Sequence, residues 1–130
     1  MPVTAVTARV ALAALLLAAA CNDEAALDAR RAAAAMTGGD PERGATIARK
    51  YGCQTCHTIP GVVGADGLVG PPLGGIAARS YLGGVLPNTP GNMIRWIRDP
   101  KGVDSLTAMP NTGVTESDAR HIAAYLYTLR

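Results

Sequence analysis

The sequence predicts an all-α domain, and three observations support this fold class. Helix-start signals occur at Asp40, Thr89 and Thr115, where a residue that can cap a helix is followed by proline or by acidic residues. No stretch of the chain sustains the alternation of apolar and polar residues that marks a half-buried strand. After Thr115, apolar residues recur at three- and four-residue steps, as on one face of a helix: Ala119, Ile122, Leu126 and Leu129.

The first predicted helix begins at Asp40 and runs to about Tyr51. Pro41 suits the first turn of a helix, where its missing N–H costs nothing, and Gly52 ends the segment. The residues that follow are expected to form a loop rich in glycine and proline, a short helix and an irregular stretch: 59–72, 73–79 and 80–88.

The second main helix is predicted from Asn92 to Arg98, after the cap at Thr89. It ends at Asp99 because the following Pro100 disfavours helical geometry in the residue before it. Residues 101–114 are predicted to be another loop. The last helix then runs from the capping signal at Thr115 to about Leu129.

A C-x-x-C-H pentapeptide, Cys53 to His57, is the strongest chemical signal. This order of residues is typical of c-type haem attachment: each cysteine can form a thioether to a haem vinyl group, and the adjoining histidine can bind the iron. A zinc site would need a second Cys/His pair at short spacing, and the third cysteine, Cys21, is far upstream. A thioredoxin-like dithiol would need a βαβ setting, which the sequence does not predict. Both remain as weaker alternatives.

The composition agrees with one small domain built around a prosthetic group. The chain has 130 residues with one tryptophan, four tyrosines and no phenylalanine, so it has little bulky material for a core. A buried porphyrin would supply the missing apolar mass. The net charge of +2 is too small and dispersed to favour nucleic acid as a partner.

The first 21 residues are predicted to be a signal peptide. An unbroken apolar run from Val10 to Ala20 is too short to cross a bilayer as a helix but suits a signal-peptide core. The small residues 18–20 before Cys21 are similar to a bacterial lipoprotein signal, which implies lipidation of Cys21. Ordinary export with cleavage near residues 18–20, or an uncleaved anchor, are the alternatives. Each version places the domain outside the cytoplasmic membrane, in the periplasm or beyond.

An alanine-rich tether is predicted over residues 22–37, followed by the domain over residues 38–130. As a flexible coil, such a segment would span roughly 22 Å, and a partly helical form is the alternative. It would hold the domain near the membrane surface while letting it turn.

The segment from Asp40 to Arg130 resembles the bacterial class I cytochromes c, which carry one haem with histidine and methionine ligands. The haem motif lies near the start of the domain, and Gly44 occupies the place where the family crosses its first and last helices, near Tyr125. The resemblance implies a small helical fold wrapped around one covalently bound haem c. Ala48 stands where many members have an aromatic residue, which implies looser packing of the first helix.

The resemblance implies that Met109 is the second axial ligand of the iron. Met109 lies in a loop before the last helix and is followed by proline, as in the family. Met93 falls among apolar residues of a predicted helix, where core packing is expected, and His121 is expected to be a surface or partly packed residue. An open sixth position is the remaining alternative.

Further contacts to the haem are implied by the same resemblance. The Pro71 carbonyl would accept a hydrogen bond from His57, and Leu73 would lie against the porphyrin. Trp96 would pack on the methionine side. Three residues are candidates for contacts with the haem propionates: Arg79, Tyr81 and Asn88.

These inferences predict an electron carrier and not an enzyme, acting alone or as a subunit of an oxidoreductase complex. Ligation by His57 and Met109 would leave no open iron position for a substrate. The expected partners are a membrane respiratory complex or a periplasmic dehydrogenase, with membrane contact through the lipid at Cys21. The alternatives are a haem-based sensor with a labile sixth ligand, and a haem-free dithiol oxidoreductase.

Overall fold

A computed structural model describes residues 23–130. Most of the regular structure is helical, as predicted. None of the helices in this part of the chain combines the length and the apolar character that a membrane crossing requires. Five helices, α1 to α5, occupy 23–37, Pro41–Lys50, Pro90–Arg98, Pro100–Val103 and Glu116–Leu126. Two 3-10 turns and the strands β1 and β2 occupy Cys53–Thr55, Ile76–Ala78, Tyr81–Leu82 and Leu86–Pro87.

The three predicted helix starts are confirmed by their capping bonds. The Asp40 carboxylate accepts a hydrogen bond from the backbone N–H of Glu42 at 2.9 Å. The hydroxyls of Thr89 and Thr115 accept from backbone N–H groups three residues ahead, at 3.3 and 3.1 Å. Each cap satisfies an N–H that has no partner within its own helix, which explains why α2, α3 and α5 begin where they do.

The crossing of α2 and α5 depends on the small size of Gly44. A Cβ built at this position would come well within 3.0 Å of the His121 carbonyl oxygen and of Tyr125 Cβ. The two helices therefore approach closely enough for backbone to meet backbone. The face of α5 that packs against the rest of the domain is buried at Ala119, Ile122 and Leu126, in agreement with the predicted apolar stripe.

The segment predicted to be a tether is helical along residues 23–37, and its last turns pack against the domain. Ala33 is only 1% exposed, Thr37 is equally buried, and Arg30 forms an ion pair with Glu42 on α2. The Arg120 guanidinium on α5 donates to the Thr37 carbonyl at 3.1 Å. The packed unit therefore begins before residue 38, the predicted boundary, because a small alanine on α1 fits against the core. The role of this segment as a tether stays a prediction.

A short antiparallel hairpin replaces the irregular stretch predicted over residues 80–88. Tyr81 pairs with Pro87 and Leu82 with Leu86. The turn between the strands contains Gly83 and Gly84, with φ of +55° and +76°. Because β1 and β2 have two residues each, they are too short to show a period of two in the sequence. The four-residue helix α4, within the predicted loop 101–114, was missed for the same reason of length.

Candidate functional site

A cavity of about 470 Å³ lies at the centre of the domain. Its walls come from the turn after α2, the loop before Leu73, the hairpin, α3, the loop after α4, and α5. The walls are mainly apolar, and the cavity occupies the place that a bulkier core would fill. Buried side chains that line it include Ile59, Leu73, Met93, Ile97, Ile122 and Leu126.

Cys53 and Cys56 line one side of this cavity as unbonded thiols. Gly52, with φ of +79°, ends α2 and turns the chain into the 3-10 segment that carries them. The Cys53 carbonyl accepts hydrogen bonds from the backbone N–H groups of Cys56 and His57, at 3.3 and 3.1 Å, and these bonds fix the turn. Burial raises the pKa of the Cys53 thiol, which favours the uncharged form in this apolar setting.

His57 lines the same cavity, and its ring is held by the Pro71 backbone. The imidazole Nδ1 lies 2.7 Å from the Pro71 carbonyl oxygen, the contact expected from the sequence. Because a carbonyl can only accept, Nδ1 carries the proton and donates. In the neutral ring with this tautomer, Nε2 carries the lone pair that can bind a metal ion, and the bond to Pro71 fixes the orientation of the ring.

Gly70 leaves room for the His57 ring, a role that sequence reasoning missed. A Cβ at this position would lie 2.7 Å from His57 Nδ1 and 2.9 Å from Nε2, which is closer than real side chains come. The Gly70 N–H also donates to the Cys56 carbonyl at 2.7 Å. The backbone at residue 70 thus lies directly against the His57 ring. The sequence indicated this role only by placing a glycine directly before Pro71.

Two methionines line the cavity. Met109 lies on the loop between α4 and α5 and is half-buried, with its N–H donating to the Thr107 hydroxyl at 3.2 Å. Met93 lies on α3 and is 1% exposed. His121 is not among the lining residues, and its Nδ1 accepts a hydrogen bond from the Asp40 N–H at 2.8 Å. The structure therefore brings a thioether and an imidazole into one cavity from separate chain segments.

Four of the remaining predicted contact residues line the cavity, and the fifth, Asn88, does not. Leu73, Arg79, Tyr81 and Trp96 all line the cavity. The Arg79 guanidinium donates to the carbonyl of Pro72 and, at 3.2 Å, to that of Gly74, so one edge of it is already engaged by the loop. Trp96 packs against the hairpin turn, where a Cβ on Gly83 would lie 2.5 Å from the nearest atom of the indole ring.

Asn88, the remaining candidate for a propionate contact, is not among the residues that line the cavity. Its amide group donates to the carbonyls of Ile76 and Arg79 at 2.9 and 2.8 Å, and its Oδ1 accepts from the Tyr127 hydroxyl at 2.7 Å. All of these partners belong to the protein. Asn88 therefore ties the end of the hairpin to Tyr127, directly after α5, and to the 3-10 turn that precedes the hairpin, and its contact with a propionate stays a prediction.

The donor set suits a covalently bound porphyrin. Two unbonded thiols, an imidazole with a free Nε2 and a thioether share an apolar cavity, and these are the groups that attach haem c and bind its iron. Between residues 23 and 130, no group of three or more His, Cys, Asp or Glu side chains is arranged to hold a metal ion by itself.

Comparison with known proteins agrees with this chemistry. The family model described as Cytochrome c matches residues 41–130. Cytochrome c oxidase subunit 2 of Alkalihalophilus pseudofirmus is 29% identical over 89 residues, which cover 68% of this chain and 25% of that protein. The chain thus spans about a quarter of that relative's length. No solved structure matches. Since the family model covers the whole segment from α2 to the end of the chain, the protein belongs to the cytochrome c family, whose members transfer electrons by means of haem.

Proposed function

We propose that the protein is a single-electron carrier with one haem c, attached through Cys53 and Cys56 and with its iron bound by His57 and Met109. The observation that carries this proposal is the meeting of all four side chains in one apolar cavity. They come from two distant parts of the chain, one after α2 and one before α5, and the close packing of α2 against α5 holds the two parts together.

Each of these residues would have a distinct task. The two cysteines would hold the group covalently on the short turn after α2, and His57 would bind through Nε2 while the Pro71 carbonyl keeps its ring in place. Bound haem supplies one-electron redox chemistry, and a thioether ligand raises its reduction potential. Because His57 and Met109 would take both axial positions, no site would remain for oxygen or another substrate. This arrangement favours a carrier over an enzyme.

The rim of the cavity supports docking through apolar contacts. Val69 and Tyr81 line the cavity and are 79% and 60% exposed, so the opening is bordered by side chains that a partner surface could cover. We infer that the partner is a membrane respiratory complex or a periplasmic dehydrogenase. The similarity to an oxidase subunit favours the respiratory complex.

A pair of matched substitutions tests the axial ligand. Met109→Leu keeps the side-chain volume but removes the thioether, so we expect loss of the methionine–iron charge-transfer band, a lower reduction potential and ready binding of carbon monoxide to the reduced protein. Met93→Leu makes the same change on α3 and should leave the band and the carbon monoxide behaviour unchanged. Absorption spectroscopy and redox titration measure these effects.

The proposal fails if Met109→Leu retains the charge-transfer band and the potential of the native protein. A reversed result, in which Met93→Leu has the large effect, would assign the ligand to α3. Purified protein without covalently held haem in a pyridine haemochrome assay would contradict the electron-carrier function itself.

We also propose that the protein is exported and anchored by a lipid on Cys21, a residue that lies outside the described part of the chain. The support is the apolar leader that ends at this cysteine. We expect Cys21→Ser to move the haem protein from the membrane fraction to the soluble exported fraction and to slow electron transfer to a membrane partner. Ala25→Ser, on the exposed side of α1, is the control. An unchanged membrane fraction in Cys21→Ser would exclude the anchor.

A further inference from the structure

Polar contacts, more than burial, hold the loop that carries Met109. Among residues 104–115, only Val114 is buried, and Leu106 is 91% exposed. Met109 itself is half-buried. A loop with so few side chains in the core gains little stability from the hydrophobic effect, so its hydrogen bonds decide how firmly it is held.

Two of these bonds, both made by Asn111, join the loop to the start of α4. This short helix begins at Pro100, and the N–H groups of its first turn have no partners inside the helix. The Asp99 carboxylate accepts from the Gly102 N–H at 2.9 Å, and the Asn111 side-chain oxygen accepts from the Lys101 N–H at 3.2 Å. The Asn111 amide then donates to the same Asp99 oxygen at 2.7 Å.

Asn111, on the loop that carries Met109, therefore caps the start of α4. Its bond to Asp99, followed by the bond from Gly102, holds the pKa of the Asp99 carboxyl below its usual value, so both favour the ionised form. A second link lies nearby, where the Lys101 ammonium donates to the Thr107 carbonyl. The loop is thus fastened on both sides of Met109.

We propose that the contact between Asp99 and Asn111, here called the clamp, is a positioning device that keeps Met109 in the cavity and limits how readily an external ligand can replace it. The inference rests on the proposed ligation by Met109 and deepens it. Pro110 separates Met109 from Asn111 and restricts the backbone between them, so movement at the clamp is passed to the methionine. Neither Asp99 nor Asn111 touches the site itself.

A swap of the two side chains tests the clamp. Asn111→Asp places a second carboxylate against Asp99, so the pair repels. The double variant Asp99→Asn, Asn111→Asp is designed to replace the contact with donor and acceptor exchanged: after a turn of the side chain at 99, its amide oxygen would accept from the Gly102 N–H and its NH2 group would donate to the new carboxylate, which would still accept from the Lys101 N–H. Asn92→Ala, which removes a similar bond to the Pro87 carbonyl on the hairpin, is the control.

The primary measurement is the rate at which imidazole replaces Met109 in the oxidised protein, followed through the methionine–iron charge-transfer band. We expect a rate roughly tenfold higher in Asn111→Asp, as loss of a charge-assisted hydrogen bond implies. The double variant and Asn92→Ala should stay within about threefold of the native rate. Hydrogen exchange of the Lys101 and Gly102 amides should increase in the single variant only.

The outcomes separate the clamp from the proposed function. If Asn111→Asp exchanges its ligand at the native rate while Met109→Leu loses the band, the ligation stands and the clamp is wrong. A double variant as fast as the single variant would also exclude the clamp, because the paired contact would then not matter. If the native protein binds imidazole as fast as Met109→Leu does, the ligation and the clamp are both wrong.

Discussion

Gly44→Ala is expected to lower the free energy of unfolding by roughly 2–3 kcal/mol. Helix propensity alone would predict the opposite sign, since alanine stabilises a helix relative to glycine by about 1 kcal/mol. The new methyl group would overlap with the His121 carbonyl and with Tyr125 Cβ, so α2 and α5 would have to move apart. The cost of this movement is expected to exceed the gain in helix propensity. In a domain of ordinary stability this is a large fraction of the total. Denaturant unfolding of the haem-loaded protein measures it.

The matched control for this substitution is Gly91→Ala on α3. A Cβ at residue 91 meets no atom within 4 Å, so the same change should be neutral or should stabilise by up to about 1 kcal/mol. Equal unfolding midpoints for the two variants would show that α2 and α5 do not cross as closely as described.

If His57 binds the haem iron as proposed, Gly70→Ala is expected to weaken that bond. The new methyl group would press on the imidazole, so either the ring rotates and leaves the Pro71 carbonyl, or the loop shifts and loses the bond from Gly70 to Cys56. A penalty of roughly 1–3 kcal/mol corresponds to an axial bond that is about 5- to 150-fold weaker. We expect less haem-loaded protein per cell and a smaller low-spin fraction in its absorption spectrum.

Gly74→Ala provides the comparison within the same loop. A Cβ there would meet nothing closer than the Pro60 side chain at 3.4 Å, which is an ordinary contact. Haem loading and spectrum should therefore match the native protein. A Gly70 variant that behaved in the same way would remove the argument that this glycine positions the histidine.

Local features of this fold were predictable because each depends on a few residues that are neighbours in the sequence. The caps at Asp40, Thr89 and Thr115 follow from side chains that bond within three positions along the chain. The attachment motif at Cys53 to His57 is equally local. The contact between Pro71 and His57, and the place of Met109 in the cavity, were expected only through the family resemblance.

The features that were missed depend on partners far apart in the chain. The role of Asn88 is set by Tyr127, 39 residues away, and nothing near Asn88 signals this bond. Gly70 matters because of where the His57 ring lies, and a glycine in a glycine-rich loop carries no such information. Ala33 is buried because α1 packs against the domain. Alanines occur all along this segment and do not mark one apolar face, so the sequence gave no reason to expect part of α1 in the core.

The packing of α1 bears on how the molecule would move at a membrane. The last turns of α1 pack against the domain through Ala33 and Thr37, and at 1.5 Å per residue α1 is roughly 22 Å long. A lipid at Cys21 would then hold the N-terminal side of α1 at the membrane surface. The opening beside Val69 and Tyr81 would then stay within a limited distance of the membrane, so a membrane-bound partner would be met at a higher effective concentration than in free solution.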